Sequence, residues 1–353
     1  MNEAPFFSIG VTTYNRHELL KQTLMSITGQ TFPDFEVIVG NDYTQETLSA
    51  ELLGIEDARI RFVNYPKNLG ETGNLNSLLG MSRGRYFTMQ SDDDLYTPNF
   101  LEAVHSVLVK FGFPPCAFTS YETIRGTSFP DLAKNFSWEG RLFTGRQFLR
   151  MYLSGKLKAM GCAGVYDTEY LRRIGGVERL CDGPIGLHGE YALLVRCGLL
   201  EKIAYVDAPL VLFRVSGQSY TWQLLSLDDW KRAGENLICK SIEVFSIPNL
   251  QEDFRQNFAS ILRLSVGYLV FKASQSMSVR EVMAYLFSLK RLINPLRGTA
   301  AYWKALVGLG QVLGQAGVRL IWIGAKEKFK STAPRSLVKL VYLLFRHKTY
   351  PLN

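Results

Sequence analysis

The sequence predicts an α/β fold built on a mostly parallel central sheet, and three observations carry that prediction. Short continuous apolar runs at 6–11, 35–39, 59–63 and 85–89 alternate with stretches of helical spacing. Unbroken apolar runs are what strands covered on both faces look like, and the alternation is that of parallel strands joined by helical crossovers. Each run ends in polar residues, at Thr12 to Asn15, Asn41-Asp42, Asn64 to Asn68 and Gln90 to Asp94. Ligands of such sheets bind beyond the carboxyl ends of the strands, so chemistry is sought there.

The elements follow in order. Residues 6–11 read as a buried strand, and 17–28 as a helix with Leu20, Leu24 and Ile27 on one face. Strands at 35–39, 59–63 and 85–89 are separated by helices around 45–53 and 72–82, and a further helix is expected over 98–111. Residues 95–225 form a mixed second lobe, with turn signals at Pro114-Pro115, Gly175-Gly176 and 182–184 and strand-like runs at 203–206 and 210–213. From 226 long helical patterns take over, divided by Pro248, Pro295 and Pro334. Three units are therefore expected: 1–115, 116–225 and a helical extension over 226–353.

A chain of 353 residues with 47% hydrophobic and 20% charged content has ample material for a core and is no disordered polymer. Five cysteines without a CxxC pair argue against a zinc ribbon or a disulfide scaffold and suit a reducing compartment. The first five residues lack the basic n-region of a secretory signal, so none is expected. The net charge of +8 is uneven: residues 226–353 hold 19 Lys/Arg against 8 Asp/Glu, which leaves the rest slightly acidic. A basic tail on an acidic body suggests an anionic partner surface, lipid headgroups or nucleic acid. The apolar stretch 305–325 carries Gln311, Gln315, Arg319 and five glycines, which makes it a poor spanning helix and a better interfacial or buried one.

Three adjacent carboxylates, Asp92, Asp93 and Asp94, follow the fourth strand and repel one another unless a cation or hydrogen-bond donors offset them. A divalent metal shared with substrate phosphates is one answer; a solvated turn capping the next helix is the other. Asp42 ends the second strand, where it can accept from a nucleobase imide, while Thr12, Tyr14 and Asn15 can wall a base and hold a ribose. Each is also an ordinary turn residue. Asn68, Gly70, Asn74 and Asn76 lead into a helix and would bring amide donors near phosphates or sugar hydroxyls. The four histidines make no metal-binding pattern, and His188 reads as an orienting or, more simply, a surface residue. No GxGxxG, GxxxxGK[ST] or GxSxG occurs, which removes the usual fingerprints of a dinucleotide oxidoreductase, a P-loop NTPase and an α/β-hydrolase.

Taken together, Ser8 to Arg16, Ser26 to Asp42, Asn68 to Asn76 and Gly84 to Pro98 resemble, in register, the motif series of family-2 glycosyltransferases. The resemblance implies a GT-A fold, Rossmann-like with flanking helices, and an inverting, metal-dependent transferase that uses a nucleotide-sugar, of the kind common in bacterial polysaccharide assembly. By position it implies Asp42 for the base, Asp92 for the ribose or the metal, Asp93 as principal ligand of manganese or magnesium, and Asp94 beside it. The family often has Asp where this chain has Ser91, and His where it has Ser216. The resemblance extends through 161–164, 170–176, 189–196 and 205–214, the acceptor half. Glu190 stands six residues before Arg196, the spacing of the family's catalytic base, with Glu in place of the usual Asp; a structural pairing with Arg196 or Arg172 is the alternative. The chain has no Arg-Trp dipeptide, so it lacks the QxxRW motif of processive synthases, and single-sugar addition is implied.

The resulting expectation is transfer from a nucleotide-sugar, UDP first, to a saccharide or lipid-linked saccharide, with no nucleic-acid partner. It places the protein in the cytoplasm, peripheral on the inner face of the membrane through the basic helices. Two rivals remain. A nucleotidyltransferase of the same fold lacks support from any Gly-rich, Arg-containing loop near the first strand. A degenerate scaffold that binds saccharide, or nucleic acid through its tail, would keep the fold without the chemistry.

Overall fold

A computed structural model describes residues 4–130, 136–215, 226–245 and 279–297, with residues 260, 261, 265, 303 and 307 singly. Ser216, Pro248, Pro334 and nearly all of the stretch from 305 onward, with its basic tail, lie outside the described residues.

The expected alternation is present. Strands β1 (Phe7–Thr13), β2 (Phe35–Asn41), β3 (Ile60–Asn64) and β4 (Tyr86–Ser91) pair in parallel, in the order β3-β2-β1-β4. Helices α1 (His17–Thr28), α2 (Ala50–Leu53) and α3 (Gly70–Met81) connect them. The second half extends the same sheet. A short β5 (Leu95–Tyr96) and α4 (Phe100–Lys110) precede β6 (Cys116–Arg125), β7 (Gly140–Phe143), α5 (Gly145–Leu153), β8 (Gly164–Asp167), α6 (Thr168–Arg173), α7 (Gly189–Arg196) and β9 (Ile203–Val215). The path beyond β4 runs β8-β6-β9-β5, with β7 also on β9; β8 is antiparallel to both its neighbours while β6 and β9 are parallel. This is the mixed, mostly parallel sheet that the resemblance implies.

Both faces of the sheet are covered, which explains the unbroken apolar runs. Ile9, Val11, Val37 and Val39 share one buried cluster with Leu20, Leu24 and Ile27 of α1; Ile38, Phe87 and Met89 share another with Leu75, Leu78 and Leu79 of α3. Each such side chain contributes roughly 1.5–3 kcal/mol of burial. Gly10 permits the close approach of this second layer, because a Cβ there would sit 2.6 Å from the Phe87 ring.

Four local expectations change. The helix expected over 45–53 shrinks to α2, because Asn41 and Asn64 build a side-chain turn in its place. Asn41 donates to the Glu46 carbonyl at 2.8 Å and to Asn64 Oδ1 at 2.9 Å, and Asn64 Oδ1 accepts the Leu48 amide at 2.8 Å. Asparagine amides compete with helical bonding in this way. The runs 203–206 and 210–213 are one strand, β9, whose pairing with β6 shifts register across Thr119 to Tyr121, opposite Val206 to Val211. Pro209 sits at that irregularity, where a missing donor is tolerated. Pro295 falls inside a 3-10 stretch, Leu289–Leu296, rather than between helices. His188 is buried, 6% exposed, rather than at the surface.

The extension has the expected helices, α8 (Leu227–Phe245) and α9 (Val279–Ser288). Trp230, Ala233 and Leu237 of α8 pack with Leu187 and Ala192 around the start of α7. The extension thus leans on the helix that carries Glu190. Among the described residues no helix is long and apolar enough to cross a membrane.

Candidate active site

The carboxyl ends of β1 and β4 lie side by side, with Thr12 opposite Ser91. Beyond them the chain places an acidic loop, Asp92-Asp93-Asp94, whose charges are met by two arginines. Arg16, just past β1, forms ion pairs with Asp92 and with Asp93, the latter at 3.0 Å. Thr13 Oγ1 donates to Asp92 Oδ2 at 2.7 Å. Asp92 is fully buried, and desolvation pushes its carboxyl up to about 6 despite the Arg16 charge. Asp94 points inward: its Oδ1 accepts the Arg214 backbone amide at 2.8 Å, and burial with the neighbouring Asp93 charge holds its carboxyl well above the usual range. Asp93 keeps a partly exposed side chain.

Arg214, near the end of β9, ties this loop down. Its guanidinium donates to the carbonyls of Asp93 at 2.9 Å and Gly126 at 2.7 Å and to Gln22 Oε1 at 2.9 Å. The fork geometry of arginine suits such a multi-point clamp. The loop is therefore a built feature rather than a solvated cap. Asn99, at the start of α4, makes no side-chain capping bond either.

The nucleoside candidates lie at the carboxyl ends of β1 and β2 and at or within α3. Thr12 lines the cleft. Tyr14 is partly exposed and meets Tyr43 edge to face, 5.4 Å between centroids. Asn15 holds the left-handed turn, φ 51°, between β1 and α1; asparagine tolerates that region better than most residues. Asp42 is buried, accepts the Leu69 amide at 2.9 Å, and is pushed up by desolvation. Asn68 Oδ1 accepts the Gly70 amide at 2.7 Å, so it shapes the entry to α3. Asn76 has its amide nitrogen donating to the Val177 carbonyl and its oxygen accepting the Val177 amide, both at 2.9 Å. It ties α3 to the 175–177 turn.

Across the cleft stands Glu190, in the first turn of α7. Its Oε2 accepts the Gly161 amide at 3.0 Å. Desolvation, with the charge of Glu71 second, pushes its carboxyl up to about 7. It pairs with neither arginine that offered a structural alternative: Arg196 binds Glu178 at 2.7 Å and Arg172 binds Glu169 at 2.7 Å. The cleft is lined by Thr12, Glu71, Leu75, Met89, Gln90, Ser91, Cys162 and Glu190. A carboxylate poised near neutrality on a concave wall, close enough to an acidic loop for Asp94 to feel its charge, suits proton abstraction.

Sequence reasoning missed Thr13, Arg16, Glu71 and Gln90. Arg16 closes the motif that begins at Ser8, and Glu71 directly follows Gly70, but nothing in the spacing says which neighbour reaches the site.

A divalent ion is the cofactor the resemblance implies. Among the described residues no three His, Cys, Asp or Glu side chains converge as a ready-made cage. The residues nevertheless fit an ion of the magnesium or manganese kind, which protein sites hold through one or two carboxylates plus substrate phosphates. Asp92 and Asp93 are hard oxygen donors that already face a cation, the Arg16 guanidinium.

Comparison with known proteins agrees with this fold. Residues 8–173 match the family model described as glycosyl transferase family 2. An uncharacterized glycosyltransferase of Haemophilus influenzae is 32% identical over 112 residues, 31% of this chain and 35% of that protein. A GalNAc(5)-diNAcBac-PP-undecaprenol beta-1,3-glucosyltransferase of Campylobacter jejuni is 34% identical over 93 residues, 26% of this chain and 30% of that protein. The chain thus spans about a third of the length of these relatives. Among solved structures, TarS residues 1–349 of S. aureus in complex with UDP-GlcNAc superposes with a TM-score of 0.60 at 15% identity, covering 81% of this chain and 80% of that one. At that identity the likeness speaks for the fold alone.

Proposed function

We propose, from the match of residues 8–173 to the model of glycosyl transferase family 2, that this chain moves a single sugar from a nucleotide-sugar to a saccharide or lipid-linked saccharide with inversion. The observation that carries the reading is Glu190 itself: with a carboxyl raised to about 7, it lines a cleft together with Ser91, the residue before the acidic loop, and Asp94 of that loop feels its charge.

In this reading Glu190 Oε1, the oxygen not held by Gly161, removes the proton from the acceptor hydroxyl as it attacks the anomeric carbon from the face opposite the nucleotide. A positioned base of this kind contributes about 10²–10⁴-fold. The nucleoside lies on Thr12, Tyr14 and Asn15, with Asp42 near the base and Asp92 near the ribose, while Asn68 and Asn76 shape the wall. Arg16 places a positive charge where the diphosphate leaves. Asp93, with Asp92, would hold a divalent ion, which when bound offsets the charge of the diphosphate leaving group. Asp94 supports the loop from beneath through its bond to Arg214. UDP is the first candidate, supported by the UDP-GlcNAc bound to TarS and by an Escherichia coli relative named as a UDP-Glc-dependent glucosyltransferase, 26% identical over 121 residues.

Relatives named for undecaprenol-linked acceptors support a lipid-linked saccharide, and with it a peripheral place on the inner membrane face. The test is calorimetric binding of UDP, GDP and dTDP to the wild type and Asp93→Asn, each with manganese and with chelator. Manganese-dependent binding of one nucleotide, lost in the variant, is expected. No binding to any of them refutes the donor site and returns weight to a degenerate scaffold; pyrophosphate release from a nucleoside triphosphate would instead favour a nucleotidyltransferase.

A further inference from the structure

The geometry points to Glu71 as a sugar-selecting group: it accepts hydroxyl hydrogen bonds from the transferred sugar and turns away donors whose sugar carries a carboxylate. This deepens the function proposed above and rests on it.

Glu71 lies in the first turn of α3, where the Gly186 amide donates to its Oε2 at 2.8 Å. Glu190 is held in the same manner by the Gly161 amide, so each carboxylate has one oxygen fixed by a backbone donor while its side chain lines the shared cleft. Glu71 sits electrostatically between the two halves of the site. Its charge is felt by Glu190 on one side, and it feels Asp93 and Arg16 on the other. If phosphate rests at the acidic loop and the acceptor proton leaves to Glu190, the transferred sugar occupies the space between, beside Glu71.

A second, separate feature indicates a polar ligand there. Gln90 lines the same cleft, is 1% exposed, and has neither its side-chain amide nitrogen nor its oxygen hydrogen-bonded. Buried amides are nearly always satisfied, and one left open beside a cavity fits a hydroxyl-bearing guest. Burial raises the Glu71 carboxyl as it raises that of Glu190, so the two are charged only toward higher pH; once ionised, they accept hydroxyl protons well and repel a third carboxylate strongly, since screening is weak there. The favoured donor sugar is therefore neutral, and a uronate is excluded.

The experiment is calorimetric titration of the full chain with UDP, UDP-glucose, UDP-N-acetylglucosamine and UDP-glucuronate in manganese buffer, for wild type, Glu71→Gln and Glu71→Asp. Glu71→Gln keeps an oxygen for the Gly186 amide and removes the charge. Wild type is expected to bind UDP-glucuronate at least tenfold more weakly than UDP-glucose, Glu71→Gln to narrow that gap to within threefold at unchanged UDP affinity, and Glu71→Asp to retain it. Equal binding of both sugars by wild type overturns the proposal, as does a gap that survives in Glu71→Gln. Should Glu71→Gln lose UDP as well, Glu71→Asp decides: loss of the gap at intact UDP affinity overturns the assignment, and its retention sustains it. Failure of UDP itself to bind wild type refutes the donor-site reading and this inference with it.

Discussion

The Gly161 amide donates to Glu190 Oε2 at 3.0 Å, and a Cβ on Gly161 would collide with the Glu190 carboxyl. One backbone position therefore both aims the proposed base and leaves room for it. Gly161→Ala is expected to lower kcat by roughly 10²-fold, the order of the whole base contribution, with nucleotide affinity unchanged. Calorimetry beside initial rates separates the two effects; an Ala variant with full kcat would remove Glu190 from the mechanism.

Glu190→Gln keeps an acceptor for the Gly161 amide but cannot take a proton. Transfer should fall about 10²–10⁴-fold while UDP binding persists. In the wild type, kcat/KM should rise with pH through about 7, because Glu190 works only when ionised and burial favours its neutral form. The stability sign runs the opposite way. A carboxyl whose folded value is raised favours the native state at low pH, and that contribution is lost as pH rises through about 7. Melting temperatures of Glu190→Gln relative to wild type should thus improve between pH 5 and pH 9; a constant difference would argue against a desolvated carboxyl.

Arg214→Met should cost about 3 kcal/mol, since the guanidinium makes charge-assisted bonds to the Asp93 and Gly126 carbonyls and to Gln22. Arg214→Lys should rescue little of it, because an ammonium cannot span those acceptors. Urea denaturation measures both. Nucleotide affinity should fall in parallel, as the loop that presents Asp92 and Asp93 loosens.

His188 holds a left-handed turn, φ 62°, before α7, with its ring stacked on Tyr191 at 5.5 Å and edge-on to Trp230 at 6.0 Å. Burial drives its imidazole down to about 4, so it stays neutral above that value. Its contribution to stability is therefore present above the unfolded value near 6.5 and is lost as pH falls toward 4. His188→Asn, which tolerates the turn, should be less harmful than His188→Val, by about 1 kcal/mol from backbone strain alone. Thermal melts at pH 7 give the comparison.

The peripheral location is tested by flotation with anionic vesicles. At low salt the full chain should float and a chain ending at 325 should not; equal behaviour of the two would assign any membrane contact to another part of the molecule.

The sequence by itself determined the sheet's first half, because strands buried on both faces must be written as continuous apolar runs and their crossovers as helical ones. It also located the acidic loop and Glu190, since the order and spacing of motifs survive in one dimension. The shortened α2 was hidden because the Asn41–Asn64 turn joins residues 23 apart, and a local pattern cannot show such a bond. Tertiary structure alone decided which polar neighbour faces the cleft. Nothing along the chain singles out Arg16 until it meets Asp92 and Asp93, or Glu71 until β1, β4, α3 and α7 converge around one space, and His188 reads as a surface residue until α8 covers it with Trp230. The carboxyl shifts belong to this second category. Desolvation depends on what the rest of the fold excludes from a group, and no spacing along the chain encodes it.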